Sequence, residues 1–278
     1  MCNSTPNARS GLLLPVTTIM AALGSLALTA PTAAQEAGTE VKATETTGND
    51  DDWLIRRVGG DREAQVEGEN GNYRFGRSRV DTALPEGYPA PTPPGAIDLK
   101  RYPSVRRAEV SGSMNADWGM NLGFWPLFQH IKQNEIAMTA PVEMDYRDWQ
   151  PEDGDTRPSG WTMSFLYRTA DLGPTGTDGR VRVIDTEPLT VISIGLRGPY
   201  GLRTIEAGLE RLQDWLAGQE EWEAAGDPRS FYYNDPSVPN DRKWAEAQIP
   251  VRKRAADPGA NGEKGSGAKG DESPKADG

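Results

Sequence analysis

The sequence predicts an α+β domain in which two helices pack on one curved antiparallel sheet. Two helix-period stripes, in residues 122–132 and 205–216, are each flanked by runs with the period-two alternation of strands. The order of elements (strands, helix, two strands) occurs twice. The residues themselves do not repeat, so two half-units similar in architecture alone are expected to share the sheet.

Extended runs at residues 97–102 and 105–114 open the first half. In the first helix Leu122, Trp125, Phe128 and Ile131 fall three apart, with Leu127 four before Ile131. Pro126 suits only a first turn, which places the helix start near Gly123. Next comes AMTAPVEMDY, residues 137–146. Here Ile136, Met138, Ala140, Val142 and Met144 share one face of a strand, and Ala137, Thr139, Glu143 and Asp145 share the other, expected to meet solvent. Pro141 cannot donate to a ladder and implies a bulge or an edge. Trp161, Met163, Phe165 and Tyr167 repeat the alternation opposite Thr162, Ser164 and Arg168. Together the two strands offer a soft methionine and aromatic wall, suited to a flat apolar ligand or simply to a core.

The second half has runs at residues 181–184 and 190–196. Its helix carries Ile205, Leu209, Leu212 and Leu216 on one stripe, with Thr204 as N-cap and Glu206, Glu210, Gln213 and Asp214 on the wet side. Runs at 230–234 and 244–251 close it. Pro141 and Pro250 are expected to protect sheet edges.

Outside this core, residues 1–34 read as an export signal: Arg9 precedes an apolar run at 12–28, and Thr32-Ala33-Ala34 offers small residues for cleavage. A periplasmic or secreted location follows, or a membrane anchor if the segment stays uncleaved. Residues 35–52 form an acidic linker. Residues 53–95 are an extension without a clear assignment. In it Trp53, Leu54, Ile55, Tyr73 and Phe75 form a hairpin or pack on the domain, and the proline-dense stretch 85–94 reads as a semi-rigid spacer. From 253 to 278 no large apolar residue occurs, which predicts a disordered tail.

Thirty Lys plus Arg against 41 Asp plus Glu give a net charge of −11. Binding to a phosphate backbone needs the opposite balance, so nucleic acid is disfavoured. The one cysteine, Cys2, lies ahead of the cleavage site, so a mature chain has no disulfide and no thiolate chemistry. One histidine, His130, and no G-x-S-x-G turn leave little material for a zinc site or a hydrolytic triad. No catalytic motif is recognisable, and a non-enzymatic role is expected.

The stretch QNEIAMTAPVEM followed by WTMSFLYR resembles the SOUL family of haem-binding proteins, whose signature is a K/E-I-x-M-T-x-P-V strand and then a strand rich in Met and Phe. AIDLKRYPSVRRAEVSG upstream, and VRVIDTEPLTVISIGLRGPYG and FYYNDPSVPNDRKWAEAQIPV downstream, are similar to the family's other segments. The match runs over roughly residues 97–251. The resemblance implies a distorted antiparallel β-barrel of two such halves flanked by two helices, in a domain of residues 96–252. It also implies haem or a related tetrapyrrole, held non-covalently in an apolar groove. By resemblance the ligand rests on the first helix, at Trp125, Gln129, His130 and Lys132, beside the loop 235–243. Met138 belongs to the adjoining wall, and Lys132, Arg242 and Lys243 are the cations for propionates. By spacing His130 lies off the apolar stripe. It reads either as a partly exposed residue near the helix C-terminus or as an axial ligand to iron. The link 132–135 is shorter than the family commonly has.

Carrier, buffer or sensor of a tetrapyrrole is the leading function. One alternative is an enzyme acting on a tetrapyrrole or a small hydrophobic ligand, since the architecture is similar to GyrI-like drug-binding domains and Glu143, Trp161 and Tyr167 would line such a site. The other is a protein-interaction module that has lost its ligand.

Overall fold

The computed structural model describes residues 53–113, 116–149 and 158–255. The signal 1–34, the linker 35–52 and the tail beyond 255 lie outside the described residues. The chain enters through β1 (Ile55–Gly60), β2 (Glu67–Glu69), β3 (Asn72–Phe75) and β4 (Ser78–Val80). Then come β5 (Ala96–Tyr102), β6 (Arg106–Gly112), α1 (Ala116–Gln133), β7 (Val142–Arg147) and β8 (Gly160–Leu166). β9 (Gly176–Asp178), β10 (Val181–Asp185), β11 (Leu189–Arg197) and α2 (Leu202–Ala217) follow. β12 (Trp222–Ala224), β13 (Arg229–Tyr232) and β14 (Trp244–Lys253) complete the order.

The main sheet runs β1-β5-β11-β14-β13-β7-β8-β6-β10-β9, with β12 beside β14, and its strand pairs are antiparallel. β1 and β9 each pair on one side only, so the sheet is open, and the expected barrel is corrected. Packed chain, instead of a closing strand pair, fills both of its faces. The expected half-units are not two adjacent blocks either. β5 pairs with β11 and β10 with β6, so the first strand of each set joins the other set. β14 is interior, between β11 and β13, so Pro250 guards no edge.

One face carries the helices. α2 buries Leu202, Ile205, Leu209, Leu212 and Leu216, following its sequence stripe. Its N-cap is Gly201, while the Thr204 hydroxyl donates to the Pro199 carbonyl at 2.8 Å. α1 departs further from expectation. It starts at Ala116 and contains Pro126 in its interior. Its buried line is Ala116, Gly119, Gly123, Leu127 and Ile131, whereas Leu122, Trp125 and Phe128 face outward. Small residues set this orientation. A Cβ on Gly119 would lie 2.4 Å from the Trp161 ring, so glycine lets the helix rest on that indole. Beneath it Met144, Trp161, Met163, Phe165 and Tyr167 are closed into the core, so most of the methionine and aromatic wall is not a ligand surface.

Residues 137–141 are not strand; β7 starts at Val142, and the connection from α1 is correspondingly longer than the expected link. The opposite face of the sheet is covered by the extension that the sequence left unassigned. Tyr73, Val80, Leu84 and Tyr88 pack there on Tyr102, Val191, Phe231, Tyr233 and Trp244. The proline-dense stretch is therefore a packed crossing and not a spacer. Its Thr92 is fully buried, donating its N–H to Glu246 at 2.7 Å and accepting from the Trp244 indole at 2.8 Å. Gly195 permits this approach, since a Cβ there would sit 2.2 Å from the Pro93 carbonyl oxygen. The folded unit thus begins well before residue 96, because β1 pairs with β5 and this crossing seals the second face.

Candidate functional site

Turning α1 onto its glycines leaves its large side chains outside. Trp125 is 60% exposed, Leu122 44% and Phe128 36%, and these are three of the five exposed large apolar residues among those described. They are not scattered. The Trp125 and Phe128 rings lie 6.0 Å apart and nearly parallel, Phe128 stacks on Phe124 at 5.8 Å, and Phe124 meets the core ring of Phe165 edge-on at 5.2 Å. An aromatic ladder therefore runs from the core to the surface. A contiguous exposed apolar group of this kind marks an interaction site more often than chance placement does. Gln129 and Lys132 are exposed on the same helix, so a polar group and a cation accompany the ladder. Met138 is half-buried and packs against the helix-side core.

His130 belongs to the buried side of α1 and not to a partly exposed position. Its Nδ1 lies 3.0 Å from the Asp178 carboxylate on β9 and its Nε2 3.1 Å from the Tyr167 hydroxyl. Both ring nitrogens therefore have a hydrogen-bond partner. No lone pair remains for iron in this arrangement. Neither contact has a signal in the local sequence, because both partners lie far along the chain.

Arg242 and Lys243 fall elsewhere. α1 packs on β6, β8 and β10, whereas the 3-10 turn Asn240–Arg242 packs on β4 and β11. Arg242 lines an open cleft of about 510 Å³ with Arg77 and Arg79. Lys243 is buried, donates to Asn240 at 3.1 Å and sits over the Tyr200 ring. The structure thus groups Trp125, Gln129 and Lys132, and separates them from Arg242 and Lys243.

Glu143 also requires correction. It does not face solvent: it is 1% exposed, because the polar side of β7 looks into the second interior. Its Oε1 accepts from Arg107 at 2.7 Å and from Arg229 at 3.1 Å. Burial pushes the Glu143 carboxyl up, and Arg229 and Arg107 more than offset this, leaving it below the ordinary range. Asp145 behaves oppositely: burial and then Glu143 raise it to about 7. Deeper on this face Glu246 accepts from Lys100 at 2.9 Å, Ser193 at 2.6 Å and Tyr233 at 2.8 Å, a buried pair whose lone pairs are filled. Glu143 lies apart from Trp161 and Tyr167, which face α1, so the three do not form one site. Among the described residues no group of three or more His, Cys, Asp or Glu is placed to hold a metal ion, and no helix is long and apolar enough to cross a membrane.

The sequence matches the model of the SOUL heme-binding protein family over residues 90–249, more than half of the chain. No functionally curated protein matches it. Among solved structures it is similar to the C-terminal domain of EcmrR, at 16% identity and a TM-score of 0.47, covering 57% of this chain and 98% of that one. Of the longer EcmrR chain in its DNA complex it spans 57%. An uncharacterized conserved protein from Listeria innocua is similar at 14% identity and a TM-score of 0.45, covering 59% of this chain and 94% of that one. SAV2435, solved with tetraphenylphosphonium, is similar at 10% identity and a TM-score of 0.36, covering 55% of this chain and 92% of that one. The family match has its counterpart in the fold, which sets two helices on an antiparallel sheet over the same residues: the chain belongs to the SOUL haem-binding family.

Proposed function

We propose that this protein binds haem or a related tetrapyrrole non-covalently on the exposed face of α1, as a non-catalytic carrier, buffer or sensor. The observation that carries the proposal is the aromatic ladder of Trp125, Phe128 and Phe124. A porphyrin is a flat apolar ring with acidic edges. Trp125 and Phe128 supply matching surface, Leu122 extends it, and Lys132 is the cation on the same helix for a propionate. The ring face, not the iron, is the recognised feature in this reading, since His130 is engaged with Asp178 and Tyr167. We further infer that the chain is exported, which rests on residues 1–34. Recovery of the intact chain from the cytoplasm alone would contradict that inference.

Titration with haemin and with an iron-free porphyrin, followed by the Soret band and tryptophan quenching, tests the site. Both ligands are expected to saturate near one equivalent with similar affinity. Trp125→Ser and Phe128→Ser are each expected to weaken binding by roughly 10- to 100-fold, the value of about 1.5–3 kcal/mol for an aromatic contact. Trp125→Ser should leave the melting temperature nearly unchanged, because that side chain is 60% exposed, whereas Phe128→Ser also loses the packing on Phe124. No saturable change with either ligand, or unchanged affinity in both variants, would sink the proposal.

A further inference from the structure

The cleft of about 510 Å³ lies apart from α1, where the β3–β4 hairpin meets the 3-10 turn Asn240–Arg242. Gly76 and Arg77 form the hairpin turn between Phe75 and Ser78, and Gly76 holds a φ of 57° that glycine adopts without strain. Arg77 at the turn, Arg79 on β4 and Arg242 all line the cleft. Arg197, at the end of β11, adjoins them. Its Nη2 would lie 3.7 Å from a Cβ on Gly76, and its guanidinium carbon is 5.7 Å from the Phe75 ring.

Against these four guanidiniums stand two carboxylates. Asp241 pairs with Arg77 at 3.0 Å, and Asp81 lines the cleft. Among the described residues no carboxylate lies within ion-pair distance of Arg79, Arg197 or Arg242. Positive charge is thus in excess here, in a chain with 41 acidic and 30 basic residues. Gathered like charges repel one another and attract an anion. The frame that carries them is fixed by hydrogen bonds. Asn234 donates its Nδ2 to the Arg79 carbonyl at 2.5 Å and accepts from the Trp244 N–H at 2.7 Å, which ties β4 to β14. In the facing loop the Ser237 N–H donates to the Asp235 carboxylate at 2.8 Å, and the Arg242 N–H to the Pro239 carbonyl at 2.8 Å. Only side chains need to order when a ligand arrives. Apolar lining is confined to Val238 and Pro239, so no large hydrocarbon body is selected. The guanidiniums present more donors than one carboxylate can accept, whereas linked phosphates offer both the oxygens and the charge.

We propose that this cleft binds a diphosphate group, either free or carried by a small molecule. Arg79 and Arg242 are its principal donors, with Arg77 and Arg197 beside them. Calorimetric titration of the full chain with inorganic pyrophosphate, ADP, inorganic phosphate and citrate tests this. One-to-one binding of pyrophosphate is expected, weakening as salt rises and about tenfold or more tighter than binding of phosphate. ADP binding more tightly than pyrophosphate would assign the group to a carried form, and the reverse to the free ion. Arg79→Gln and Arg242→Gln are each expected to weaken pyrophosphate binding by about tenfold. Both variants should keep the native melting temperature, since the two side chains are exposed and Asn234 uses only the Arg79 backbone. Arg180→Gln, at an exposed arginine of the β9–β10 turn, should bind as the native chain does. The proposal is overturned by absence of saturable binding of pyrophosphate, or by unchanged affinity in both cleft variants. Equal loss in Arg180→Gln, or citrate binding as tightly as pyrophosphate, would overturn it as well.

Discussion

Asp145 shows how far a single residue's chemistry departs from what its position in the sequence suggests. In AMTAPVEMDY the set Thr139, Glu143 and Asp145 alternates with apolar residues, and alternation ordinarily separates core from solvent. Here both sides of the strand are covered, and the carboxyls meet Arg107 and Arg229 from strands distant in the chain. The residue types were legible; the two arginines that decide their ionisation were not, because register between β6, β7 and β13 is a tertiary fact. A pH dependence follows. The folded chain holds the Asp145 proton up to about pH 7, whereas an unfolded chain releases it near 3.8. Between these values the folded state binds more protons, so the stability from this group is complete below pH 3.8 and is lost as pH rises to 7. Asp145→Asn does not titrate. Its stability relative to the native chain is therefore expected to rise by roughly 1–3 kcal/mol between pH 5 and pH 8, less than the full shift implies because the side chain is part-exposed. Urea midpoints of the two proteins at both pH values measure it, and a constant difference would refute it.

For the secondary-structure elements, length and type were legible wherever apolar residues dominate the contact. α2 and β5, β8, β10, β11 and β14 follow their sequence periods closely. α1 does not, for a definite physical reason. Its contact with the sheet is made through glycine and alanine, which carry no weight in a count of large apolar residues, while its aromatic residues point outward. The same aromatic stripe that misplaced the buried face is the proposed ligand surface: its residues stand out in the sequence, but Leu122, Trp125 and Phe128 lie on the outer side of the helix. Gly119→Ala tests the orientation. Its methyl would overlap the Trp161 indole, and destabilisation by about 1–3 kcal/mol is expected even though alanine is the better helix former. A melting temperature equal to or above that of the native chain would show that α1 does not rest on Trp161.

Across the whole molecule, the sheet needs cover on both faces, and the chain supplies it from two different places. The helices cover one face, as the sequence order implies. The other is covered by residues 64–93, whose glycines, prolines and scattered tyrosines carry no periodic signal. Lys100 and Glu246 are fully buried beneath them, and Thr92 supplies one of their hydrogen bonds. A chain that starts at Ala96 is therefore expected to lack a stable fold, since removing a partner from a buried charged network and exposing Phe231 and Trp244 are both costly. Near-ultraviolet circular dichroism and dye binding report the outcome. A shortened chain with native aromatic signals would mean that the covering segment is dispensable.

The two-sided cover bears on how the sequence tolerates change. All seven residues of β8 are buried, whereas β10 retains the alternation of a strand with one wet side. In β8 the period of two distinguishes two interiors, one oily and one polar, and no position is left to drift. A saturation mutagenesis profile should therefore be uniformly intolerant along residues 160–166 and should oscillate along residues 181–185. Sequence divergence in this molecule would then accumulate on β10 and the outer side of α2, leaving β8 as the stretch in which ancestry stays readable longest.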